Sequence, residues 1–166
     1  MREEDVKDFK AFLQEFQCET DRGAALVGAA LIDLRLTETL RAFMVSNNAA
    51  DELLEGPTAP LSSFSSRIAA SFALGLIDAH EKYECNTIRR VRNDFAHRAH
   101  GTTFKDAAIT KLCLDLKSNL PGDRSMYIDN PRFIFVNAVI LTSLALTYRN
   151  EWVAKEKRST RSWPFD

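Results

Sequence analysis

The chain has 166 residues, the length of one ordinary domain, and can bury a hydrophobic core without disulfides or a structural metal. It is 45% hydrophobic and 27% charged, with six glycines and five prolines, which excludes disordered and collagen-like chains. Twenty-two basic against twenty-three acidic residues give a net charge of −1. Because no global positive field is available, any contact with nucleic acid has to come from a local basic patch.

Targeting and cysteine signals point to the cytoplasm. The first five residues, MREED, are acidic, whereas a signal peptide starts basic and continues apolar. The longest apolar stretch, 133–148, is interrupted by polar residues and falls short of the roughly 20 residues of a membrane span, so it predicts a buried helix. The three cysteines are widely spaced and predict reduced thiols: Cys18, Cys85 and Cys113. We expect no membrane contact, no metal and no cofactor.

Apolar residues recur at helical spacing along nearly the whole chain. The predicted helices run from about residue 6 to 16, 20 to 45, 62 to 79, 81 to 99, 102 to 120 and 131 to 157. The stretch 46–60 contains Gly56-Pro57 and Pro60 and is predicted to be mostly connection. The prediction is an all-α, single-domain bundle of about six helices over residues 1–166, with a basic tail at 155–166.

Small residues open the second predicted helix, over residues 23–30. Small side chains let neighbouring helices approach closely, so this segment is predicted to lie at the centre of the bundle.

The densest polar cluster lies in the fourth predicted helix, over residues 87–98. It holds four arginines against one aspartate: Arg89, Arg90, Arg92 and Arg98. On a helix, Arg89, Asn93 and His97 form a polar stripe. The neighbouring face carries Ile88, Val91 and Phe95 and is predicted to point into the bundle. Arg92 lies about 140° around an ideal helix from His97, so the two side chains meet only if the long Arg92 side chain reaches across or the helix distorts there.

These side chains suit chemistry at a phosphate. Histidine moves a proton near neutral pH, a guanidinium holds phosphate oxygens through two parallel hydrogen bonds, and asparagine orients either group. Together they could make the 2′-hydroxyl of RNA attack its neighbouring phosphate without a metal. The alternative is a solvated surface, in which Asp94 pairs with Arg90 and Arg98 and His97 bonds a neighbouring loop.

The segment from Arg92 to His97 resembles the R-x4-6-H motif of the HEPN superfamily. That superfamily comprises helical bundles and includes metal-independent RNases, toxins of toxin–antitoxin pairs and inactive scaffold members. The resemblance implies a HEPN-like fold. It also implies a homodimer in which two copies of the motif meet near the two-fold axis.

A wider resemblance is carried by residues 20–27, 59–68, 73–77 and 88–97. In order and spacing these blocks resemble the MltR family, the mannitol operon repressor family, over residues 18–118. That resemblance implies a cytoplasmic, all-helical bacterial regulator of sugar-alcohol uptake genes. The sequence has no helix-turn-helix signal and no basic arm, so direct binding of duplex DNA is doubtful. We therefore expect a repressor-type regulator that acts through a protein partner.

The alternative function is a metal-independent endoribonuclease of the HEPN type, for example the toxin of a pair. The resemblance then implies that His97 is the general acid or base, Arg92 stabilises the phosphorane and Asn93 positions one of them. Other arginines would bind phosphate or nucleic acid: Arg89, Arg90 and Arg98. RNA and an antitoxin are the partners of this alternative. The sequence leaves open whether the chain is an enzyme.

Four further groups have ordinary structural explanations. Serines around Ser63 could hold a phosphate but are more often helix caps. Asp21-Arg22 could face the Arg92–His97 cluster or belong to a buried Asp–Arg ion pair that holds two helices together, the more ordinary explanation. A surface row of ion pairs is expected from Asp33, Glu38 and Arg41. A helix junction contains Asp78, His80 and Glu81, and helix capping is the more ordinary role there than a metal site. The basic tail either contacts nucleic acid or packs through Trp163.

Overall fold

The structure, a computed structural model, describes residues 2–98 and 100–164, apart from the side chains of Glu4, Asp5 and Asp8. Within these residues it contains eight α-helices and no strand, which confirms the predicted all-α class. The helices are α1 Glu3–Cys18, α2 Asp21–Phe43, α3 Asn48–Leu54, α4 Phe64–Ala73, α5 Ala79–His97, α6 Ala107–Asp115, α7 Pro131–Leu146 and α8 Arg149–Val153. Short 3-10 helices lie at Arg124–Tyr127 and Ala154–Glu156.

Helix α3 lies in the stretch that the sequence predicts as connection. The Asn47 side chain caps it and accepts a hydrogen bond from the Ala50 backbone N–H at 3.0 Å. Ala50 and Leu54 are buried one turn apart, and this single apolar pair anchors the helix. Among polar residues and prolines, one i, i+4 pair is too short a pattern to predict a helix.

The chain divides into two units. The first comprises Met1–Leu31 and Thr87–Leu141, and the second comprises Ile32–Asn86 and Thr142–Asp166. The expectation of a single domain stays a prediction.

A chain of aromatic rings forms the centre of the first unit. The ring centroids of Phe95 and Phe104 are 4.9 Å apart, and those of Phe104 and Phe135 are 5.3 Å apart. All three side chains are buried. Contacts of this kind between tilted rings stabilise beyond the area they remove from water. They connect the end of α5, the loop that follows it, and α7.

The small residues of α2 are confirmed as a place of close approach. A Cβ at Gly28 would lie 3.1 Å from Phe16 of α1 and 3.1 Å from Val139 of α7. Ala24 and Ala25 are fully buried. Both neighbouring helices therefore depend on the missing side chain at position 28.

Asp21 and Arg22 at the start of α2 hold two other segments of the first unit. Arg132 of α7 donates to Asp21 Oδ1 at 2.6 Å, and the Phe104 backbone N–H donates to Asp21 Oδ2 at 3.1 Å. Arg22 donates to the Arg98 carbonyl oxygen at 2.5 Å. An ion pair that joins two helices is confirmed, but it is Asp21 with Arg132, and the side chains are 30% and 27% exposed, so the expected burial is wrong.

The second unit has an apolar cluster formed by Leu40, Phe43, Leu54 and Leu76. Arg67 of α4 lies close to it and donates to Asp33 Oδ2 at 2.7 Å and to the Leu61 carbonyl at 2.8 Å. Side chains of this ion pair are only 14% and 26% exposed, so the pair is shielded from bulk solvent. It therefore contributes more than an ordinary surface pair.

The expected ion-pair row on α2 is wrong. Asp33 pairs with Arg67, and Glu38 pairs with Arg35 at 3.0 Å. Arg41 pairs with Asp51 and Glu55, on and just after α3. The row fails because Asp33 and Arg41 have partners that are distant along the chain, on α4 and on and just after α3, while Glu38 pairs with Arg35, a residue of α2 outside the expected row.

The apolar C-terminal segment is divided between α7 and α8 by a turn at residues 147–148. Among the described residues, Pro131–Glu156 is the one helical stretch that could cross a membrane by length and composition alone. In its most apolar window, 44% of the residues are buried, and one such helix is weak evidence for a membrane span. Ile134, Phe135 and Val139 are buried, in agreement with the predicted buried helix.

The C-terminal tail is attached to the end of α2. The Arg158 backbone N–H donates to the Phe43 carbonyl at 2.9 Å, and Lys157 donates to the Ser46 hydroxyl at 2.6 Å. Trp163 is 72% exposed. Packing of the tail through Trp163 is therefore wrong, because Phe43 and Ser46 supply the anchor instead.

Candidate functional site

Helix α5 carries five of the six predicted site residues, and the sixth, Arg98, follows its last residue. Ile88, Val91 and Phe95 are each 0% exposed, which confirms the predicted buried face. Because this face of α5 is buried, the polar stripe beside it faces outward. Four of the six site residues are exposed and two are half-buried: exposed Arg90, Arg92, His97 and Arg98, half-buried Arg89 and Asn93.

Two of the predicted catalytic residues contact each other. Arg92 donates from Nη1 to Oδ1 of Asn93 at 3.1 Å. His97 lies in the last turn of the same helix, which is unbroken from Ala79 to His97. The separation of about 140° between Arg92 and His97 therefore stands, and their side chains leave α5 on different sides.

Half-buried Arg89 differs from the other arginines. Its Nε is buried and has no hydrogen-bond partner within the described residues. A guanidinium held this way is less able to grip an external phosphate, because the stem of the side chain is packed into the protein.

A cleft of about 350 Å³ lies in the first unit between α5 and α6. Its walls come from three residues of α5 and four of α6: Arg90, Asn93, Asp94, Ala108, Lys111, Leu112 and Asp115. Arg90 and Asn93 are thus brought together in one cavity, and neither Arg92 nor His97 is among its lining residues. Sequence reasoning missed the half of the cleft that α6 supplies. The signal available was the i, i+4 pair of Lys111 and Asp115 beside buried Leu112.

A second groove of about 280 Å³ in the first unit is mainly apolar. It is lined by residues of α7 and its entry together with the end of α1: Gln17, Asn130, Arg132, Phe133, Val136, Asn137 and Ile140. The ring of Tyr127 stacks on Phe133 with centroids 4.5 Å apart. On either side of Tyr127, Met126 is 73% exposed and Ile128 is 53% exposed. This end of the unit therefore exposes apolar side chains at the edge of a groove.

Two of the remaining candidates are helix caps, as expected. The Ser63 hydroxyl accepts from the Ser66 backbone N–H at 3.1 Å at the start of α4. Asp78 and Glu81 form a reciprocal capping box, in which each side chain accepts from the backbone N–H of the other, at 2.8 and 2.9 Å. Among the side chains that the structure describes, no group of three or more His, Cys, Asp and Glu could hold a metal ion.

Two cysteines are buried and have thiols of low reactivity. Burial raises the pKa of Cys113 to about 12. Burial, with the nearby charges of Glu81 and Glu84, also raises the pKa of Cys85 to about 12. Both thiols are therefore neutral at physiological pH and are poor nucleophiles. Cys18 is exposed.

The fold and the site together define an all-α protein with a basic, outward-facing stripe on one helix. A scan against protein-family models and a search of the curated proteins both find no match. Among solved structures, a chain of the MtlR–HPr complex from Escherichia coli is similar, with a TM-score of 0.51 and 22% sequence identity. The similarity covers 82% of this chain and 91% of that chain.

This likeness is one of fold. It confirms the MtlR-like fold that the sequence resemblance implies. The roles of Arg92, Asn93 and His97, and the HEPN-like motif as such, stay predictions.

Proposed function

We propose that this protein is a repressor-type, MtlR-like regulator that acts through contact with a partner protein. The fold shared with a chain of the MtlR–HPr complex over most of both chains is the observation that carries this proposal. The step from fold to function is an analogy. A shared fold supports it because equivalent helices can present equivalent surfaces to a partner.

The charge distribution of α5 supports action through a protein rather than through duplex DNA. A recognition helix reads bases with residues near its N-terminus, where positive side chains also approach phosphates. In α5 the first turn carries Glu81, which Arg149 binds at 2.6 Å, while the arginines lie in the second half. With a net charge of −1 for the chain, non-specific attraction to DNA is weak.

The exposed apolar end of the first unit supports a protein contact. Met126 and Ile128 are among the most exposed large apolar side chains of the described residues. They flank Tyr127, whose ring stacks on Phe133 of the apolar groove. Aromatic and methionine side chains beside a groove are typical of protein interfaces. We propose this end as the partner-binding surface.

The test is titration of the purified chain with HPr from the same organism, followed by calorimetry. We expect a complex that His97→Ala leaves intact. The double variant Met126→Ser/Ile128→Ser should weaken the complex about tenfold, which corresponds to about 1.4 kcal/mol. Leu34→Ser, which changes a 53% exposed side chain of the second unit, is the matched control and should bind normally. Absence of a complex at about 0.1 mM of each protein would overturn the proposed partnership.

The endoribonuclease is the second candidate, and the exposure of both Arg92 and His97 favours it. Because these residues leave α5 on different sides, we propose that an active enzyme would need Arg92 of one copy and His97 of another. The proposed homodimer has α5 near its two-fold axis. Light scattering at micromolar concentration tests it, and a monomer would count against both the dimer and this candidate.

A further inference from the structure

We infer that the cleft between α5 and α6 binds a small anion that also carries its own hydrogen-bond donors, such as hydroxyl or ammonium groups. This inference does not depend on the regulator proposed above. It rests on the side chains that line the cleft, on their partners and on the volume of the cleft.

Two cationic side chains line the cleft without being neutralised. Arg90 comes from α5 and Lys111 from α6, and both are exposed. Neither forms a hydrogen bond or an ion pair with a side chain or backbone group that the structure describes. The i, i+4 spacing would allow Arg90 to pair with Asp94, yet that pair is not formed. The cleft therefore presents two cationic groups without a direct ion-pair partner, beside the two carboxylates of Asp94 and Asp115.

Asn93 supplies a further donor whose orientation is determined by Arg92. A guanidinium can only donate hydrogen bonds, so Arg92 engages the amide oxygen of Asn93, at 3.1 Å. The oxygen is occupied, which leaves the NH₂ group of Asn93 for the cleft that this side chain lines. Arg92 is thus a positioning residue, and Asn93 offers donors beside Arg90.

The acidic side chains of the cleft determine what else the ligand must carry. Asp94 is half-buried and has no hydrogen-bond or ion-pair partner within the described residues. Asp115 lines the same cleft from α6. Carboxylates repel a bare anion but accept hydrogen bonds from hydroxyl or ammonium groups. A ligand with an anionic end can bind the cationic side chains of the cleft, and hydrogen-bond donors at its other end can bind the acidic side chains.

The volume limits the ligand to a small molecule. A cleft of 350 Å³ lies at the lower end of the range for small-molecule sites. Leu112, which is 7% exposed, and Ala108 give the carbon skeleton of a ligand an apolar contact. Because the cleft is open to solvent, we expect a dissociation constant of about 1 mM.

The test is a titration of the full-length, isotope-labelled protein followed by backbone amide NMR shifts. The probes are inorganic phosphate, glycerol 3-phosphate, phosphoethanolamine and glycerol. We expect shifts confined to α5 and α6. Glycerol 3-phosphate, phosphoethanolamine or both should bind at least about fivefold more tightly than inorganic phosphate, and glycerol should not bind. The two organic probes tell hydroxyl donors from ammonium donors.

Three variants and a control identify the groups responsible. Arg90→Ala and Lys111→Ala should each weaken binding of the organic phosphates about tenfold. Asp94→Asn should leave affinity for inorganic phosphate equal or higher and remove the preference for the donor-bearing probes. Lys105→Ala, which removes an exposed charge outside the cleft, should bind as the wild type does. Retained amide spectra show that each variant is folded.

Three results would overturn the inference. The first is no shift in α5 and α6 with any probe at about 20 mM, well above the expected dissociation constant. The second is an equal loss of affinity in Lys105→Ala, which would indicate unspecific charge attraction. The third is a short single-stranded RNA that shifts α5 and α6 at lower concentration than either organic phosphate, which would make this surface a nucleic-acid site.

Discussion

Arg92 donates a hydrogen bond to the side-chain oxygen of its neighbour Asn93 on the outward side of α5. Two of the three groups expected to act on an RNA phosphate therefore engage each other. His97, the third, leaves the same helix about 140° away from Arg92. The joint action of Arg92 and His97 on one phosphate stays a prediction.

We expect the purified protein to leave a labelled, structured RNA intact in excess EDTA. The reason is the regulator proposed above, which acts through a partner protein; within one chain Arg92 and His97 lie about 140° apart on α5, so cleavage would need a second copy to bring them to one reacting oxygen. The assay compares wild type with His97→Ala, and EDTA removes metal-dependent nucleases that contaminate preparations. Cleavage by the wild type that disappears in His97→Ala would contradict this expectation and identify a ribonuclease.

Gly28→Leu should destabilise the protein by about 2 kcal/mol or more. A Cβ at this position would already lie 3.1 Å from Phe16 and from Val139, so the larger side chain has to displace α1 or α7. Urea denaturation followed by circular dichroism measures the change in the free energy of unfolding. Ala30→Leu, the same addition at an exposed position of α2, is the control and should change stability by less than about 0.5 kcal/mol.

Arg67→Lys should lower the free energy of unfolding by about 1–3 kcal/mol, although it preserves the charge. Arg67 binds Asp33 and the carbonyl of Leu61 with separate nitrogens, which one ammonium cannot reproduce with the same geometry. Arg41→Lys is the matched control, since Arg41 is 42% exposed and its ion pairs are screened by solvent. Equal urea midpoints for Arg67→Lys and wild type would show that the Arg67 network contributes little.

Cys18 should be the first thiol to react with a chromogenic disulfide reagent in the native protein. The pKa of Cys85 and of Cys113 is raised to about 12, so at pH 8 about one in ten thousand of these thiols is ionised. We expect one thiol to react quickly in wild type, none in Cys18→Ser, and three in urea. Fast reaction of Cys18→Ser under native conditions would indicate that one of the buried thiols is accessible.

The raised pKa of these two thiols predicts that the protein loses stability at alkaline pH. Their pKa is higher in the folded protein than the ordinary value of 9.0, so the unfolded chain releases their protons first as the pH rises. Between pH 9 and about 12 the free energy of unfolding then falls, by up to about 1.4 kcal/mol per pH unit for each thiol. Cys85→Ala/Cys113→Ala should show a shallower decline in urea denaturation over that range. An identical slope would exclude these thiols as its source.

Local patterns predicted much of the secondary structure and part of the site. Burial of Ile88, Val91 and Phe95 follows from their spacing, because a helix places residues three and four apart on one face. The caps at Ser63 and Asp78 were predictable for a similar reason, since a cap contacts a backbone group only three residues away.

Partners distant along the chain were not predictable. Asp33 was expected to pair within α2, but it binds Arg67, 34 residues further on. Lys111 was not selected, because its i, i+4 spacing with Asp115 is common on helix surfaces and points to a cleft only once α5 is seen opposite it. Helix α3 is also too short to show a helical period in the sequence. The burial of Ala50 and Leu54 is recognised only from the residues that they pack against.

The amino-acid sequence by itself determined the all-α class, the buried face of α5 and its outward-facing basic stripe. These properties depend on side chains three and four residues apart, and the backbone hydrogen bonds of a helix specify that distance. Tertiary structure alone decided that Asp21 is bound by Arg132, 111 residues away, and that Arg90 and Lys111 share a cleft. Such pairs form only when packing of the apolar faces brings distant helices together, and no local spacing encodes which charges then meet.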